Sequence, residues 1–367
     1  MFPARACGGG GALKRNFVTM SDRAVKTVFA TDAPQRMAIL TGIPPLISEF
    51  GVSLESVLAG LPIGPEVFSD PERRIPYFVA TELLRRCALL TQCKSFGLLL
   101  GSRYDHRCLG AAGLWMENAP DLETALSGFV ELQRGNSRGA SVYLHRYGDA
   151  VVFGYGVYDS AAVAHEQIYA LTAALTFNVV RALTRGAARP IEVLFSFRAP
   201  ADVKPYSDFF RMPLRFDQPE TGLVLPLSSL ANPIPRARAD ARARLERRAA
   251  DLEPRSHRVW TDRVRHVIRP LILRGEPTSL AAAAHLKLTV RTLCRYLTSE
   301  GSNFQAILDD VRYANARELL TVTNMSIGEV AQALSYSSHP SFVDAFHRWS
   351  GVTPSAWRRK TREVSPE

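Results

Sequence analysis

Arg291, Cys294 and Arg295 stand at i, i+3 and i+4 in the stretch TVRTLCRYL, a spacing that gathers all three on one face of a helix. Leu293 and Leu297 take the opposite face, so the two arginines point outward. An outward guanidinium can donate two parallel hydrogen bonds to O6 and N7 of guanine, the chemistry by which a helix reads a base pair in the major groove. Thr289 precedes them as the natural N-cap. A second polar face follows further on, where Phe342 and Phe346 form the inward side and Ser338, His339, Ser341, Val343 and Asp344 lie toward the other. Asp344 takes the slot of Arg295, 49 residues later. A carboxylate there either accepts from a cytosine N4 amino group or belongs to a helix that docks loosely on the phosphates.

The elements that must carry these faces come in duplicate. TSLAAAAHLKLTVRTLCRYL, 278–297, and SIGEVAQALSYSSHPSFVDAF, 326–346, share their layout: Thr278 and Ser326 are 48 apart, as are Leu286 and Leu334, and after one inserted residue Leu293 and Phe342, and Leu297 and Phe346, are 49 apart. Ser326 with Glu329 is a capping box that starts a helix. Each copy therefore reads as helix, short turn, helix, the unit that sets its second helix into the major groove.

Charge supports a polyanionic partner. Residues 1–233 carry 23 Lys and Arg against 21 Asp and Glu, and residues 234–367 carry 22 against 14, so +8 of the formal net charge of +10 is carboxyl-terminal. A chain of 367 residues with 46% hydrophobic residues suffices for two or three domains. It has no apolar run of membrane-spanning length, and its start, MFPARACGGGGALKRNFVTM, lacks the apolar stretch of a secretory signal. A cytoplasmic, nucleoid-associated protein is expected, with residues 1–34 as a disordered leader and Met20 as an alternative start. The five cysteines contain no C-x-x-C, the eight histidines no H-x-x-x-H, and nucleotide-binding and hydrolase motifs are absent. Neither metal, cofactor nor catalytic chemistry is expected.

Further toward the amino end, residues 35–137 follow a helical period. ASVYLHRYGDAVVFGYGV predicts a hairpin turning at Gly148 and Asp149. The long apolar helix AHEQIYALTAALTFNVVRALTRG follows, then a strand IEVLFSFR, 191–198, and a second small hairpin in MPLRFDQPETGLVLP. An α+β domain over 35–233 results. Residues 234–256 form an Arg-rich linker of helical character that is also a candidate for phosphate contact. Residues 257–362 are all helical, and 363–367 form a tail.

Residues 257–362 resemble the DNA-binding domain of the AraC/XylS family of bacterial transcription regulators, through both helix-turn-helix units, the intervening GSNFQAILDDVRYANARELLTVTNMSI and the closing FHRWSGVTPSAWRR. Residues 36–230 resemble the arabinose-binding-type amino-terminal domain of one branch, through FGLLLGSR, IEVLFSFRAPADVKPYSDFFRMPLRFD and LVLPLSSL. The resemblance implies an α+β effector domain followed by an all-α DNA-binding domain, with two helix-turn-helix units joined by a linker helix. It implies double-stranded DNA and a small-molecule effector as partners, and RNA polymerase if the chain activates; a homodimer stays open, and no membrane is involved. Candidate effector residues are Trp115, Tyr143, Phe153, Tyr155 and Tyr158, with Arg198 as a carboxylate anchor, and each also fits a core role. Lys287 and Ser335 depart from the family by standing in turns where Gly is usual, Pro340 lies one place late, and Asp344 replaces a basic residue. The first unit is thereby expected to make the stronger DNA contact. Tyr313, Trp349 and Trp357 are expected in the core, and Arg312 and Arg317 are expected to pair with Asp309, Asp310 or Glu318. An effector-independent architectural DNA binder is the alternative.

Overall fold

The computed structural model describes residues 33–159, 161–162, 165–238, 240–241 and 259–364. Residues 1–32 of the expected leader, Arg-rich positions 242–256 of the expected linker and the last three residues of the expected tail lie outside them. Pro34, assigned to the leader from sequence, belongs instead to β1 (Pro34–Arg36), which pairs antiparallel with β2 (Arg74–Pro76). The segment expected to be helical from residue 35 thus opens on a strand. Proline, which cannot donate to a ladder, sits at the ends of this small sheet, where Pro34 faces Pro76.

Six helices then fill the amino-terminal region: α1 (Ile43–Ser48), α2 (Leu54–Leu58), α3 (Tyr77–Leu90), α4 (Phe96–Gly101), α5 (Ala111–Glu117) and α6 (Leu122–Leu132). The alternating residues that follow form β3 (Ala140–Tyr147) and β4 (Ala150–Val157), with Tyr147 opposite Ala150. Their two-residue turn requires a positive φ at its first position, and Gly148 adopts 59°. Next comes α7 (His165–Leu183), apolar around most of its circumference and buried accordingly.

The strands beyond α7 differ from the sequence expectation. Only Glu192–Leu194 of the 191–198 run is a strand, β5, and 212–226 is not a hairpin. The chain crosses over through α8 (Lys204–Phe210) so that β6 (Leu214–Arg215) pairs parallel with β5, while β7 (Thr221–Pro226) inserts between β4 and β5. The sheet order is β3-β4-β7-β5-β6. Register puts Val142, Phe153, Tyr155 and Leu223 on one face, where they join the amino-terminal core. Ser141, Tyr143, Gly154 and Gly156 share the other.

Seven helices follow among the described residues: α9 (Val259–Leu273), α10 (Ser279–His285), α11 (Val290–Ser299), α12 (Phe304–Val322), α13 (Ile327–Ala333), α14 (His339–Ser350) and α15 (Pro354–Val364). They close around a second core that includes Ile268, Leu293, Leu297, Val311, Phe342 and Phe346. Tyr313, Trp349 and Trp357 pack at its edge as expected, with ring centroids 5.7 Å apart for Tyr313 and Trp349 and 6.5 Å for Tyr313 and Trp357.

Candidate nucleic-acid interface

The two helix-turn-helix copies are built on one plan. Thr278 and Ser326 cap their first helices, with hydroxyls accepting from Ala281 N and Glu329 N. The Ser326 copy adds the reciprocal bond, Ser326 N to Glu329 Oε2 at 2.6 Å, which holds the Glu329 carboxyl below its ordinary pKa. Each first helix ends in the same turn. Leu288 N donates to Ala283 O at 2.8 Å and Tyr336 N to Ala331 O at 3.0 Å, while Lys287 N and Ser335 N donate to Ala284 O and Gln332 O. This paired-bond helix end needs a left-handed residue, and Lys287 and Ser335 both lie at φ 56°. The departure from Gly noted in the sequence therefore falls where Gly has a conformational advantage.

The second helices are also capped alike. Thr289 Oγ1 accepts from Thr292 N at 3.2 Å and meets Thr292 Oγ1 at 2.9 Å; Ser338 Oγ accepts from Ser341 N at 3.3 Å and meets Ser341 Oγ at 2.8 Å. Three of the residues chosen from sequence as DNA-facing, Thr289, Ser338 and Ser341, thus engage their hydroxyls in helix starts, although all three are exposed. Leu293 and Leu297 on α11, and Phe342 and Phe346 on α14, are fully buried. Arg291, Cys294 and Arg295 lie exposed on the far side of α11, and His339 and Asp344 lie exposed on α14. Among the described residues neither Arg291 nor Arg295 forms an ion pair. The Arg295 guanidinium carbon sits 5.3 Å from the Tyr296 ring, and Tyr296 stacks on Trp260 of α9 at 4.4 Å. At the end of α11 the Glu300 carboxylate accepts from Trp260 N and Thr261 N at 2.9 and 2.8 Å, so α11 is fixed to the start of α9.

Helix α12 holds the two copies together, by contacts other than those expected. Arg312 donates to the carbonyls of Leu334 and Ser335 at 3.1 and 3.0 Å and covers Tyr336, which clamps the second turn. Arg317 lies over Tyr313 and Trp357. The carboxylates expected to pair with them serve other partners: Asp309 meets Arg348 at 3.8 Å, Asp310 meets Arg265 at 3.3 Å, and Glu318 meets Arg269 at 3.3 Å.

The last pair joins the two cores. Arg269 and Glu318 have side chains only 2% and 1% exposed. Arg269 Nη1 donates to Asn315 Oδ1 at 2.7 Å and, across the junction, to Val157 O of β4 at 3.1 Å. Glu318 Oε1 accepts from Tyr169 Oη of α7 at 2.5 Å and from Ser196 Oγ at 3.3 Å. Gly156 makes this possible, since a Cβ there would stand 2.1 Å from Arg269 Nε. His266 Nε2 lies 3.3 Å from Val130 O, and Arg138 reaches Asp262 at 3.4 Å.

Of the six effector candidates, Phe153 and Tyr155 line one cavity of about 60 Å³, between the sheet, α6, α7 and β1. The other four do not. Trp115 packs over Gly128 as core. Tyr143 sits on the opposite sheet face above Gly154, where a Cβ would meet its ring. Tyr158 lies beyond the end of β4 and outside the lining, with burial pushing its phenol up. Arg198 donates its backbone N–H to Val322 O at 2.8 Å and a guanidinium N–H to Thr321 O, which places it at the end of α12 and outside the lining of this cavity. Side-chain type found the aromatics of the cavity but missed Gln35 and Gln133, whose positions in a short strand and after a helix carry no local signal.

Residues 51–234 match the family model for the arabinose-binding domain of AraC transcription regulator, N-terminal, and residues 282–360 match a helix-turn-helix domain. The chain is 26% identical over 317 residues to the ornithine utilization regulator of Pseudomonas aeruginosa, which spans 85% of this chain and 93% of that protein. It is 23% identical over 325 residues to the HTH-type transcriptional regulator VirS of Mycobacterium tuberculosis, covering 88% and 96%. The crystal structure of transcriptional regulator CdpR from Pseudomonas aeruginosa aligns over 83% of this chain and 96% of that one, with 25% identity and a TM-score of 0.40.

Proposed function

The chain belongs to the AraC/XylS family of bacterial transcription regulators, and from that premise we propose that it reads two adjacent major-groove segments with α11 and α14, under the control of a small molecule held by its amino-terminal region. The observation that carries this reading is the duplicated construction of the two helix-turn-helix copies, with matching caps, matching left-handed turns and matching buried pairs. A repeat preserved at that level fits two helices presented to one duplex. Arg291 and Arg295 are the residues assigned to base edges of the first segment, and His339 and Asp344 those nearest the second. Control by an effector is supported by the way the cavity abuts the junction. Tyr155 lines the cavity, bonds Tyr77 Oη through its hydroxyl at 2.7 Å and packs edge-on against Tyr169, which donates to Glu318 of α12. A ligand that shifts Tyr155 acts on the helix that holds both DNA-facing units. A mobility-shift titration of the full chain on the DNA flanking its own gene, against scrambled duplex, tests the reading. Preference for the native duplex by a factor of about 10³ or more is expected, and equal affinity for both makes the chain an architectural binder.

A further inference from the structure

The cavity under Tyr155 has a chemistry of its own, and arguing from it rests on the effector reading above. Its wall is largely apolar, with Ile39, Phe129, Val142, Phe153 and Leu175 among its residues. The formally charged member is Arg36, and its guanidinium is already committed: Nε and Nη2 donate to the two Glu72 oxygens, and Nη1 donates to Cys108 O at 2.8 Å and Asn136 Oδ1 at 3.1 Å. A charged ligand would therefore enter without a counter-charge, which low-dielectric surroundings penalise heavily. Two further wall residues, Gln35 and Gln133, are each 3% exposed, and among the described residues the side-chain oxygen of each has no hydrogen-bond donor. Gln35 is held in place because its Nε2 donates to Arg36 O at 2.9 Å. Buried acceptors are nearly always satisfied, so two orphans in one wall call for donors brought from outside.

We propose that this cavity binds a small uncharged molecule bearing hydroxyl or amide N–H donors, a short alcohol, diol or primary amide, with Gln35 and Gln133 as the acceptors. Size bounds the ligand further. A cavity of about 150 Å³ holds a benzene ring, so about 60 Å³ suits roughly two to four non-hydrogen atoms. Such a ligand, at four atoms, has a dissociation constant no tighter than roughly 40 µM, by the ceiling on affinity per atom.

Acetamide and acetate, nearly equal in shape and different in charge, separate this class from the alternatives, with ethylammonium as the cationic counterpart. In ligand-observed NMR titrations of the full chain, acetamide should bind saturably, with acetate and ethylammonium at least about tenfold weaker. Gln133→Leu should weaken acetamide by roughly 2- to 12-fold, the worth of one neutral hydrogen bond. Val142→Ile, which fills part of the cavity from the sheet, should weaken it whether or not the Gln133 variant folds. Acetamide should also change DNA affinity in the mobility-shift assay. Tighter binding of acetate or ethylammonium, lost in Val142→Ile, overturns the uncharged class and leaves effector control standing. Absence of saturable acetamide binding means the cavity holds only water and overturns the proposal. Effector control is then judged separately, by whether any metabolite alters DNA affinity.

Discussion

Replacing Glu318 by Gln tests the junction between the two cores most sharply. The substitution keeps shape and one acceptor oxygen but removes the charge opposite Arg269, in a pair whose side chains are 1% and 2% exposed. Arg269 keeps Asn315 Oδ1 and Val157 O, at 2.7 and 3.1 Å, yet has no carboxylate to neutralise it. Removing one member of a buried pair costs about 3–5 kcal/mol, against a whole-chain stability on the order of 5–15 kcal/mol. Tyr169 also loses a charged acceptor at 2.5 Å, which places the effect at the upper part of that range. Urea denaturation reads it out, with a midpoint shift on the order of 1 M. Trp115 reports the first core, and Trp260, Trp349 and Trp357 report the second. Arg269→Met should cost a similar amount, and the double variant about as much as either single, because no unpaired charge remains. A Glu318→Gln cost below about 1 kcal/mol, or a double variant equal to the sum of the singles, refutes the argument that this pair is coupled and desolvated.

Four further outcomes follow from the geometry. Lys287→Gly should stabilise by about 0.5–1 kcal/mol, because it relieves a left-handed L-residue, whereas Ser335→Gly should change little, since it also removes the hydroxyl that bonds Ile272 O; denaturation midpoints decide. Burial pushes the Glu220 carboxyl up to about 7 from an ordinary 4.5, so between those values the unfolded chain releases a proton that the folded chain keeps, and stability falls as pH rises through that window. Glu220→Gln should therefore gain up to about 3 kcal/mol at pH 8 and nothing below pH 4.5 in chemical denaturation, and a pH-independent effect refutes the assignment. Arg295→Ala should cost about 1–3 kcal/mol of binding at one base pair, and uniform loss on all sequences makes Arg295 a phosphate contact; Asp344→Asn should tighten binding to every duplex if α14 docks loosely, and weaken it at the native site alone if Asp344 reads cytosine.

What the sequence revealed was whatever is encoded locally. The caps at Thr289 and Ser326, the turn at Gly148, and the inward pairs Leu293 with Leu297 and Phe342 with Phe346 all depend on residues within a few positions of each other. Strand neighbours do not: β7 lies beside β4 and β5 although the chain reaches it after β6, and no local period records that choice. Partners of buried charges are equally non-local. Glu318 has Arg317 beside it in sequence and takes Arg269, 49 residues away, together with Tyr169 from α7. The signal available was Arg269 within the apolar run VIRPLIL, where a surface arginine is out of place. Cavities combine residues from several elements, so side-chain type alone does not place Phe153 and Tyr155 in one lining and Arg198 at the end of α12, outside it.

Occupation of two grooves by one chain is tested by hydroxyl-radical footprinting of the full chain on its native duplex, under conditions in which one chain binds one site. Protection of two major-groove segments on one face of the duplex, about 34 Å or one helical turn apart, is expected. Arg295→Ala should weaken the segment assigned to α11, and changes at Asp344 should alter only the other. Protection of a single segment per chain, unaffected by any substitution on α14, would contradict it.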